Sequence, residues 1–274
     1  MHAIYKKLES FIKIMNYKYL RPMIDVIVIG YGNVGNHLVD VLFSNNSVNL
    51  KQVYNRSIEK INHLASKISI TNSFDKIFDA DVYIITVSDD EISTVSEELS
   101  IKNKLIVHTS GSVSMELIAS KRKGVFYPLQ TFTKNKEINF KNIPICVEAN
   151  YESDLVLLEK LASLISENIY ILDSFQRKKM HLAAVFVNNF VNHLYHVGHT
   201  ICEENNVPFE ILHPLLEETL RKIKDIDPID AQTGPAKRND QKTITSQLEQ
   251  LSEAQQKIYT SLTDSIINTY KNHG

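Results

Sequence analysis

The sequence predicts an α/β protein in which a doubly wound parallel sheet is followed by an all-helical region. Two observations predict this fold class: branched apolar segments alternate with helical segments as far as Asp173, and strand signals then stop. A third is that three of the 8 glycines lie within the six residues Gly30–Gly35, directly after the first apolar segment. At ~150 residues per domain, a chain of 274 residues suits one or two domains. We expect an N-terminal extension at residues 1–22, the sheet domain at 23–172 and the helical domain at 173–274.

The overall composition is that of an ordinary globular protein. Hydrophobic residues make up 43% and charged residues 23%, and no apolar run reaches the ~18 residues of a membrane span. The formal net charge of -2 disfavours nucleic-acid binding, because proteins that bind nucleic acid usually carry an excess of basic residues. Cys146 and Cys202 form neither a metal-binding spacing nor a disulfide framework. We therefore expect a soluble protein of the reducing cytoplasm, with no nucleic-acid or membrane partner.

The first 22 residues are rich in Lys and Tyr. They contain no continuous apolar core, which argues against a secretory signal. A short amphipathic helix, a disordered extension and a true start at Met23 are the open interpretations.

Seven short segments rich in branched and aromatic residues predict strands, of which the apolar ones suit a buried parallel sheet. In chain order they are Ile24–Ile29, Leu50–Tyr54, Asp81–Val87, Leu105–His108, Val125–Tyr127, Ile145–Glu148 and Ile169–Leu172. The intervening segments predict helices at Asn36–Phe43, Ile58–Lys67 and Ser153–Ile165, and Ser88-Asp89-Asp90 is expected to cap a further helix.

After Asp173 the chain contains long segments with few helix breakers. The segment Gln176–Glu204 has no Pro and only one Gly, which predicts one long helix. A second helix is expected from Pro208 to about Lys224, a loop over 226–240, and helix again over Gln241–Lys271 with a break near Ser252.

The glycine cluster matches a dinucleotide-binding fingerprint, Gly30-x-Gly32-x-x-Gly35, in the required place between a strand and a helix. In such a Rossmann-like motif the first glycine makes the tight turn, the second lets the backbone approach the pyrophosphate, and the third lets the helix pack on the strand. The helix N-terminus then holds the phosphates. The predicted cofactor contacts are Gly30, Tyr31, Gly32, Asn33, Val34 and Gly35. The alternative interpretation is a purely structural turn.

The end of the second strand indicates which dinucleotide binds. An NAD site usually has Asp or Glu about 20 residues after the glycines, on the ribose hydroxyls. Asn55, Arg56 and Ser57 stand there instead. Arg56 suits the 2′-phosphate of NADP, and the neighbouring side chains can hydrogen-bond to it. We therefore predict NADP(H), although a solvated turn would have the same composition.

Two further loops follow later strands and are expected to line the same cleft. Val87 and Ser88 are predicted to contact the cofactor, with a helix N-cap as the alternative. Ser110 is predicted to contact cofactor or substrate, and Gly111 the substrate, because small residues allow close approach. A turn-forming role is the alternative for this second loop.

These motifs together resemble a family of NADP oxidoreductases in which a Rossmann-like half is joined to a helical domain of unknown function. The matching segments are Gly30–Gly35 with Asn55–Ser57, Val107–Ser112, Phe126–Phe132, His181–Phe186 with Asn188–Phe190, and Gln232–Ala236 with Arg238 and Asp240. More distantly, the chain is similar to pyrroline-carboxylate reductases, deazaflavin-dependent NADP reductases and beta-hydroxyacid dehydrogenases. The resemblance implies a helical dimerisation domain and hydride transfer in a cleft between the domains.

One departure from these relatives bears on mechanism. Beta-hydroxyacid dehydrogenases carry a catalytic Lys one helical turn before an Asn on the first long helix of the second domain. Here Ala184 and Val185 stand one turn before Asn188 and Asn189. The chain is therefore not expected to use that Lys.

A polar stripe on the first long helix supplies the predicted catalytic residues. At 100° per residue, His181 and Asn188 fall on one arc, and His181 is the predicted proton donor with Asn188 orienting the substrate. A solvated helix face or an inter-domain packing role are the alternatives. The other possible donors are Lys178, Lys179, His108 and Tyr127. No metal is predicted, because the histidines at 193, 196 and 199 lack a nearby carboxylate.

Three further residues are predicted to bind substrate. Tyr127 and Gln130 follow a strand and lie among aromatic residues, where loop packing is the alternative. Arg238, one of few arginines, is a candidate clamp for a substrate carboxylate or phosphate.

The expected function is an NADP(H)-dependent oxidoreductase acting on a small carbonyl or imine substrate. The alternative is a non-catalytic NADP-binding sensor or scaffold. Leu182, Phe186, Phe190 and Leu194 give the long helix much apolar surface, which predicts a homodimer through the helical half.

Overall fold

The structure is a computed structural model that describes residues 23–99, 101, 103–134 and 136–271. The predicted extension at residues 1–22 lies outside the described residues. The chain divides into two compact units, Met1–Ala183 and Ala184–Gly274. This division falls within the first long helix, whereas the sequence placed the boundary at residue 173. Among the described residues, no helix is both long and apolar enough to cross a membrane.

The first unit contains one eight-stranded sheet in the order β3-β2-β1-β4-β5-β6-β7-β8. Its strands are β1 Ile24–Ile29, β2 Val48–Tyr54, β3 Ser69–Thr71, β4 Val82–Ile85, β5 Leu105–His108, β6 Arg122–Pro128, β7 Ile145–Ala149 and β8 Ile169–Ile171. Neighbouring strands are parallel except β6 and β7, which are antiparallel. The α/β, Rossmann-like fold class is thus confirmed, with one antiparallel pair. The strand order reverses between β1 and β4, which is where open sheets of this kind bind ligands.

Strand β1 shows why the sheet is buried on both faces. Val26 and Val28 contribute to one apolar cluster, whereas Ile27 and Ile29 contribute to the other. All four side chains are completely buried. Successive side chains point to opposite faces of a strand, so an uninterrupted apolar run is what a strand covered on both sides requires.

The helices of this unit are α1 Asn33–Phe43, α2 Ile92–Glu98, α3 Glu152–Ser163 and α4 Ser174–Ala184. The predicted helix over Ile58–Lys67 is wrong: two short 3₁₀ turns, Ile58–Lys60 and Asn62–Leu64, occupy that segment. Only Ile61 and Leu64 are well buried near these turns. A spacing of three residues between apolar anchors suits the three-residue period of a 3₁₀ turn.

The second unit is helical. Its helices are α5 Val191–Glu204, α6 His213–Asp225, α7 Pro228–Ala231, α8 Gln241–Leu248 and α9 Glu253–Lys271. The expected break near Ser252 is present, and α7 lies within the segment predicted as a loop. The long helix is not continuous, because a π-helical segment, Val185–Phe190, separates α4 from α5. A π turn has i to i+5 hydrogen bonds, so the regular 100° spacing used to place His181 and Asn188 on one stripe does not hold across it.

Candidate functional site

The glycine loop connects the end of β1 to the start of α1, and two of its glycines are required by the protein itself. Gly30 has a φ of +106°, which favours glycine, and a Cβ there would lie 3.0 Å from the Thr86 hydroxyl oxygen. A Cβ on Gly35 would lie 2.5 Å from both the Gly30 carbonyl oxygen and that same hydroxyl. The Thr86 hydroxyl donates to the Gly30 carbonyl at 2.9 Å. Close packing of strand, helix and Thr86 therefore excludes any larger side chain at these two positions.

Gly32 differs, because a Cβ there would meet only the Thr86 carbonyl oxygen, at 4.0 Å. The protein itself would tolerate a side chain, so the small residue leaves space above the loop. Gly32 is also the N-cap of α1, where no side chain caps the helix and no acidic residue occupies the first turn. The first turn of α1 contains the predicted Asn33, which is exposed, and Val34, which packs against the core. An open backbone surface at a helix N-terminus fits the pyrophosphate of a dinucleotide.

Asn55, at the end of β2, holds the glycine loop in place. Its side-chain oxygen accepts a hydrogen bond from the Tyr31 backbone N–H at 3.1 Å, and its amide donates to the Ser57 carbonyl at 2.8 Å. Both polar atoms of the side chain are thus engaged by the backbone. The Tyr31 side chain is buried and points to Asn36 and His63, with which its hydroxyl forms hydrogen bonds. Asn55 therefore positions the loop, and Tyr31 packs beside it.

Arg56 is the cation predicted to bind the 2′-phosphate, and it lies on the surface beside this loop. Its side chain is 84% exposed, and its Nη1 atom donates to the Glu91 carboxylate at 2.9 Å. Ser88 does not cap the following turn as predicted. Its hydroxyl donates instead to the other oxygen of Glu91, at 3.0 Å. Val87 is half-buried and packs against the apolar cluster that contains Ile27.

The loop after β5 is organised by its own side chains. The Ser110 N–H donates to His108 Nδ1 at 3.1 Å, and the Ser110 hydroxyl accepts from the Ser112 and Val113 N–H groups at 3.1 and 3.0 Å. The Ser110 hydroxyl thus shapes the turn. His108 is completely buried, and burial, reinforced by the charge of Arg177, lowers its pKa to about 4. At neutral pH His108 is therefore uncharged and acts as a hydrogen-bond acceptor within the loop.

Tyr127, Gly111 and His181 meet at the carboxyl ends of β5 and β6. The Tyr127 hydroxyl and the His181 Nδ1 atom lie 3.1 Å apart and share a hydrogen bond. A Cβ on Gly111 would lie 2.4 Å from that Nδ1 atom and 2.9 Å from Tyr127 Cζ. The absence of a side chain at Gly111 is therefore what allows the two rings to approach each other. Both rings are half-buried.

Burial is the main cause that raises the pKa of Tyr127 to about 12, and the nearby Arg177 charge opposes that rise. The phenol therefore keeps its proton throughout the physiological pH range. A protonated phenol hydrogen-bonded to an imidazole is a pair that can hold or deliver a proton.

Gln130, Asn188 and Arg238 complete the set of predicted residues. Gln130 is exposed, and its side-chain oxygen accepts from the Thr131 N–H at 2.8 Å. Asn188 and Arg238 belong to the second unit and are exposed. Within the described part of the chain, no three His, Cys, Asp or Glu side chains could together hold a metal ion.

A groove of about 1090 Å³ runs along α1. It is lined mainly by α1 residues, by the 3₁₀ turn at Asn62–Leu64 and by the segment 136–141. It includes Tyr31 and Asn36 but none of the three glycines of the motif. We place the candidate site at the strand ends, because the glycine loop and the Tyr127–His181 pair lie there.

Sequence reasoning missed three residues that build this site. The first is Thr86, whose hydroxyl donates to the Gly30 carbonyl in the glycine loop. The other two are Glu148 and Arg177, which form a buried ion pair with an Nη2–Oε2 distance of 3.1 Å. Thr86 directly follows a buried apolar strand, which could have indicated it. Arg177 lies in the run Arg177-Lys178-Lys179, which resembles an exposed basic helix face. Its burial could not be read from that pattern.

Comparison with known protein families identifies both parts of the chain. Residues 25–111 match the family described as NADP oxidoreductase coenzyme F420-dependent. Residues 143–266 match the domain of unknown function DUF2520. The two matches fall on the Rossmann-like sheet and on a region that begins just before β7 and extends through most of the helical unit.

Individual proteins match the chain over different lengths and at different identities. A solved structure described as a "putative NADP oxidoreductase" from Bacteroides fragilis is 36% identical, with a TM-score of 0.81 over 90% of this chain and 98% of its own. A reductive aminase from Aspergillus terreus, solved with NADPH and ethyl levulinate, shares the fold at 14% identity, with a TM-score of 0.68 over 91% of this chain and 94% of its own. A pyrroline-5-carboxylate reductase from Methanobrevibacter smithii is 34% identical over 98 residues, which are 32% of this chain. This chain matches only 39% of that relative's length.

Proposed function

The chain belongs to the family of NADP oxidoreductases that includes the Bacteroides fragilis protein, and on that premise we propose that it transfers a hydride between NADP(H) and a small carbonyl or imine substrate. The observation that carries the proposal is the Tyr127–His181 hydrogen bond of 3.1 Å, at the same edge of the sheet as the glycine loop. Reduction of a C=O or C=N bond needs a proton as well as a hydride. We take the pair as that proton source, because open sheets of this kind bind ligands beyond the carboxyl ends of their strands.

The cofactor, when bound, supplies or accepts the hydride. The glycine loop and the first turn of α1 would hold its pyrophosphate, since Gly32 leaves the backbone open and no side chain caps the helix. Arg56, with Ser57 beside it, would bind the 2′-phosphate. Arg56 is an exposed cation and can turn from Glu91 toward that group.

The proton chemistry falls to Tyr127 and His181. Burial holds the pKa of Tyr127 at about 12, so the phenol stays protonated and donates a hydrogen bond. His181 contacts the phenol oxygen through Nδ1, and His is the side chain best suited to proton exchange near neutral pH. Together they deliver a proton to the substrate oxygen or nitrogen and recover it from water. Gly111 keeps the space that this arrangement requires.

The imine class is suggested by relatives. The Methanobrevibacter smithii relative is named a pyrroline-5-carboxylate reductase and the Aspergillus terreus protein a reductive aminase. We extend the substrate class, a small C=N or C=O compound, to this chain. Asn188 is proposed to orient the substrate and Arg238 to bind a carboxylate or phosphate on it.

The protein is proposed to be a homodimer through its helical unit. Among the described residues of that unit, only Ala236, Ile244 and Thr263 are buried. Phe186 and Phe190 pack edge to face on each other, with their ring centroids 5.0 Å apart, yet both are more than half exposed. A second copy of the chain would cover this apolar surface.

Consumption of NADPH tests the proposal. The protein is incubated with NADPH and, separately, 1-pyrroline-5-carboxylate, 1-pyrroline, pyruvate and a short aldehyde, and absorbance at the nicotinamide band is followed. We expect sustained turnover with at least one compound, lost by at least ~10²-fold in His181→Asn while NADPH affinity is kept. Lys178→Ala serves as the matched control on the same helix. Binding of NADPH without turnover on any compound would favour the non-catalytic sensor instead.

A further inference from the structure

Arg177 is a buried cation one helical turn before His181. Its side chain has no exposed surface. Its Nη1 atom donates to the Ser110 carbonyl at 2.9 Å, and its Nη2 atom donates to Glu148 Oε2 and to Ser174 Oγ, both at 3.1 Å. A buried ion pair is rarely the most stable solution, because apolar residues of similar volume often stabilise a fold as well or better. Stability alone therefore does not explain this buried charge.

Glu148 fixes the start of the helix that carries both Arg177 and His181. It is 8% exposed and lies near the end of β7. Its carboxylate accepts from the Ser174 N–H at 2.9 Å and from the Ser174 hydroxyl at 2.8 Å. Asp173 and Gln176 add a reciprocal capping box, in which each side chain accepts from the backbone N–H of the other. The first turn of α4 is thus tied to the sheet.

The guanidinium joins this helix to the loop that faces His181. The guanidinium donates to the carbonyl of Ser110, the residue that precedes Gly111. The backbone of Gly111 lies against the His181 ring. Through Glu148 and Ser174 it holds the helix on which His181 stands, four residues later. Both the loop and the helix around the Tyr127–His181 hydrogen bond are therefore fixed by one side chain.

We infer that Arg177 is a positioning residue, which holds His181 against Tyr127 by bridging the Ser110 carbonyl and Glu148. This inference rests on the proposed function, in which the Tyr127–His181 pair handles the proton. Arg177 also acts through its charge: burial raises the pKa of Tyr127, and the nearby guanidinium opposes that rise. Loss of the guanidinium therefore makes the phenol a weaker acid and also loosens the ring pair.

Turnover measurements on Arg177→Lys and Arg177→Gln test the inference in the full-length protein. The matched control is Arg122→Gln, because Arg122 also pairs with a fully buried carboxylate, Asp154, and its other side-chain hydrogen bond goes to the Asn103 carbonyl rather than to Ser110. We expect Arg177→Gln to lower kcat at least ~10-fold with NADPH affinity within twofold of wild type. The pH profile of kcat should shift as well. Arg177→Lys keeps the charge and should recover part of kcat, and Arg122→Gln should reduce thermal stability only.

A second measurement needs no turnover. In protein labelled with ¹⁵N-histidine, His181 is assigned by its loss in His181→Asn, and Tyr127→Phe gives the signal of the ring without its hydrogen bond. We expect Arg177→Gln to shift the His181 signal toward that of Tyr127→Phe, while Arg122→Gln leaves it unchanged. Wild-type signals and wild-type kcat in Arg177→Gln would overturn the inference. If Arg177→Gln does not fold, the same two measurements, the His181 signal and kcat, are made on Arg177→Lys. Wild-type values of both in that variant would also overturn the inference. Absence of turnover in the wild type would refute the proposed function, and the histidine signals would still decide the role of Arg177.

Discussion

Replacing Arg56 with Ala should weaken NADPH binding and leave NADH binding nearly unchanged. Arg56 follows β2, where the fold places the adenosine ribose, and no carboxylate occupies the position usual for NAD. Its guanidinium is mostly exposed and donates to Glu91 at 2.9 Å. Binding of the 2′-phosphate therefore exchanges one anionic partner for another.

The size of the effect follows from that exchange. A charge-assisted hydrogen bond contributes about 1.5–3 kcal/mol. An exposed ion pair such as Arg56–Glu91 is worth about 0.2–1 kcal/mol, which must be given up or shared. The net contribution is about 0.5–2.8 kcal/mol, equivalent to about 2- to 100-fold in Kd. Glu91→Gln removes the competing carboxylate and should tighten NADPH binding by a few fold.

Calorimetric titration of NADPH and NADH into wild type, Arg56→Ala and Glu91→Gln measures these changes. Lys60→Ala is the control, because Lys60 is another exposed cation in the turn after β2. High salt should reduce the difference between NADPH and NADH, since exposed charges are screened. The reasoning is refuted if Arg56→Ala weakens both cofactors equally, or if Lys60→Ala has the same effect as Arg56→Ala.

Three further outcomes are expected. Gly111→Ala should lower turnover by about 10²-fold with NADPH affinity kept, because its Cβ would lie 2.4 Å from His181 Nδ1 and must displace the ring. His108→Asn should remove a pH-dependent loss of stability. In the folded protein burial lowers the pKa of His108 to about 4, below the ordinary value of 6.5, so the unfolded chain binds more protons between these pH values and wild type loses stability as pH falls. That loss amounts to about 2 kcal/mol between pH 7 and 5, measured by denaturant unfolding. Light scattering should give twice the chain mass of 31.3 kDa, and Phe186→Glu should shift it toward the monomer.

Each of these outcomes has a contradicting result. Wild-type turnover in Gly111→Ala would show that the Tyr127–His181 contact is not needed. An equal slope of stability against pH in His108→Asn and wild type would show that His108 is not buried in its neutral form. A monomer mass at micromolar concentration would refute the dimer.

Much of the fold could be predicted because its local signals agree with its packing. Strand β1 has the predicted bounds, since an apolar run flanked by Gly30 is buried on both faces. The prediction of a helix over Ile58–Lys67 is wrong because the spacing of the buried residues Ile61 and Leu64 is compatible with both a helix and a 3₁₀ turn. The antiparallel β7 and the π segment depend on tertiary context, and no periodicity in the sequence indicates them.

The site was only partly predictable for a related reason. A glycine motif has a fixed local spacing, so Gly30, Gly32 and Gly35 could be assigned from sequence alone. Arg177 and Glu148 are 29 positions apart, and their pairing depends on where β7 and α4 meet. Contacts of that range leave no local pattern, and a basic run on a helix is more often a solvated face.

Transfer of deuterium from the cofactor tests the central claim most directly. The protein is incubated with NADPH carrying deuterium at one or the other face of C4, together with whichever panel compound supports turnover, and the product is analysed by mass spectrometry. If the protein transfers a hydride to a C=N or C=O carbon, one of the two labelled cofactors will raise the product mass by one unit, at the reduced carbon. Product without deuterium from either cofactor, or oxidation of NADPH with no reduced product, would contradict the account.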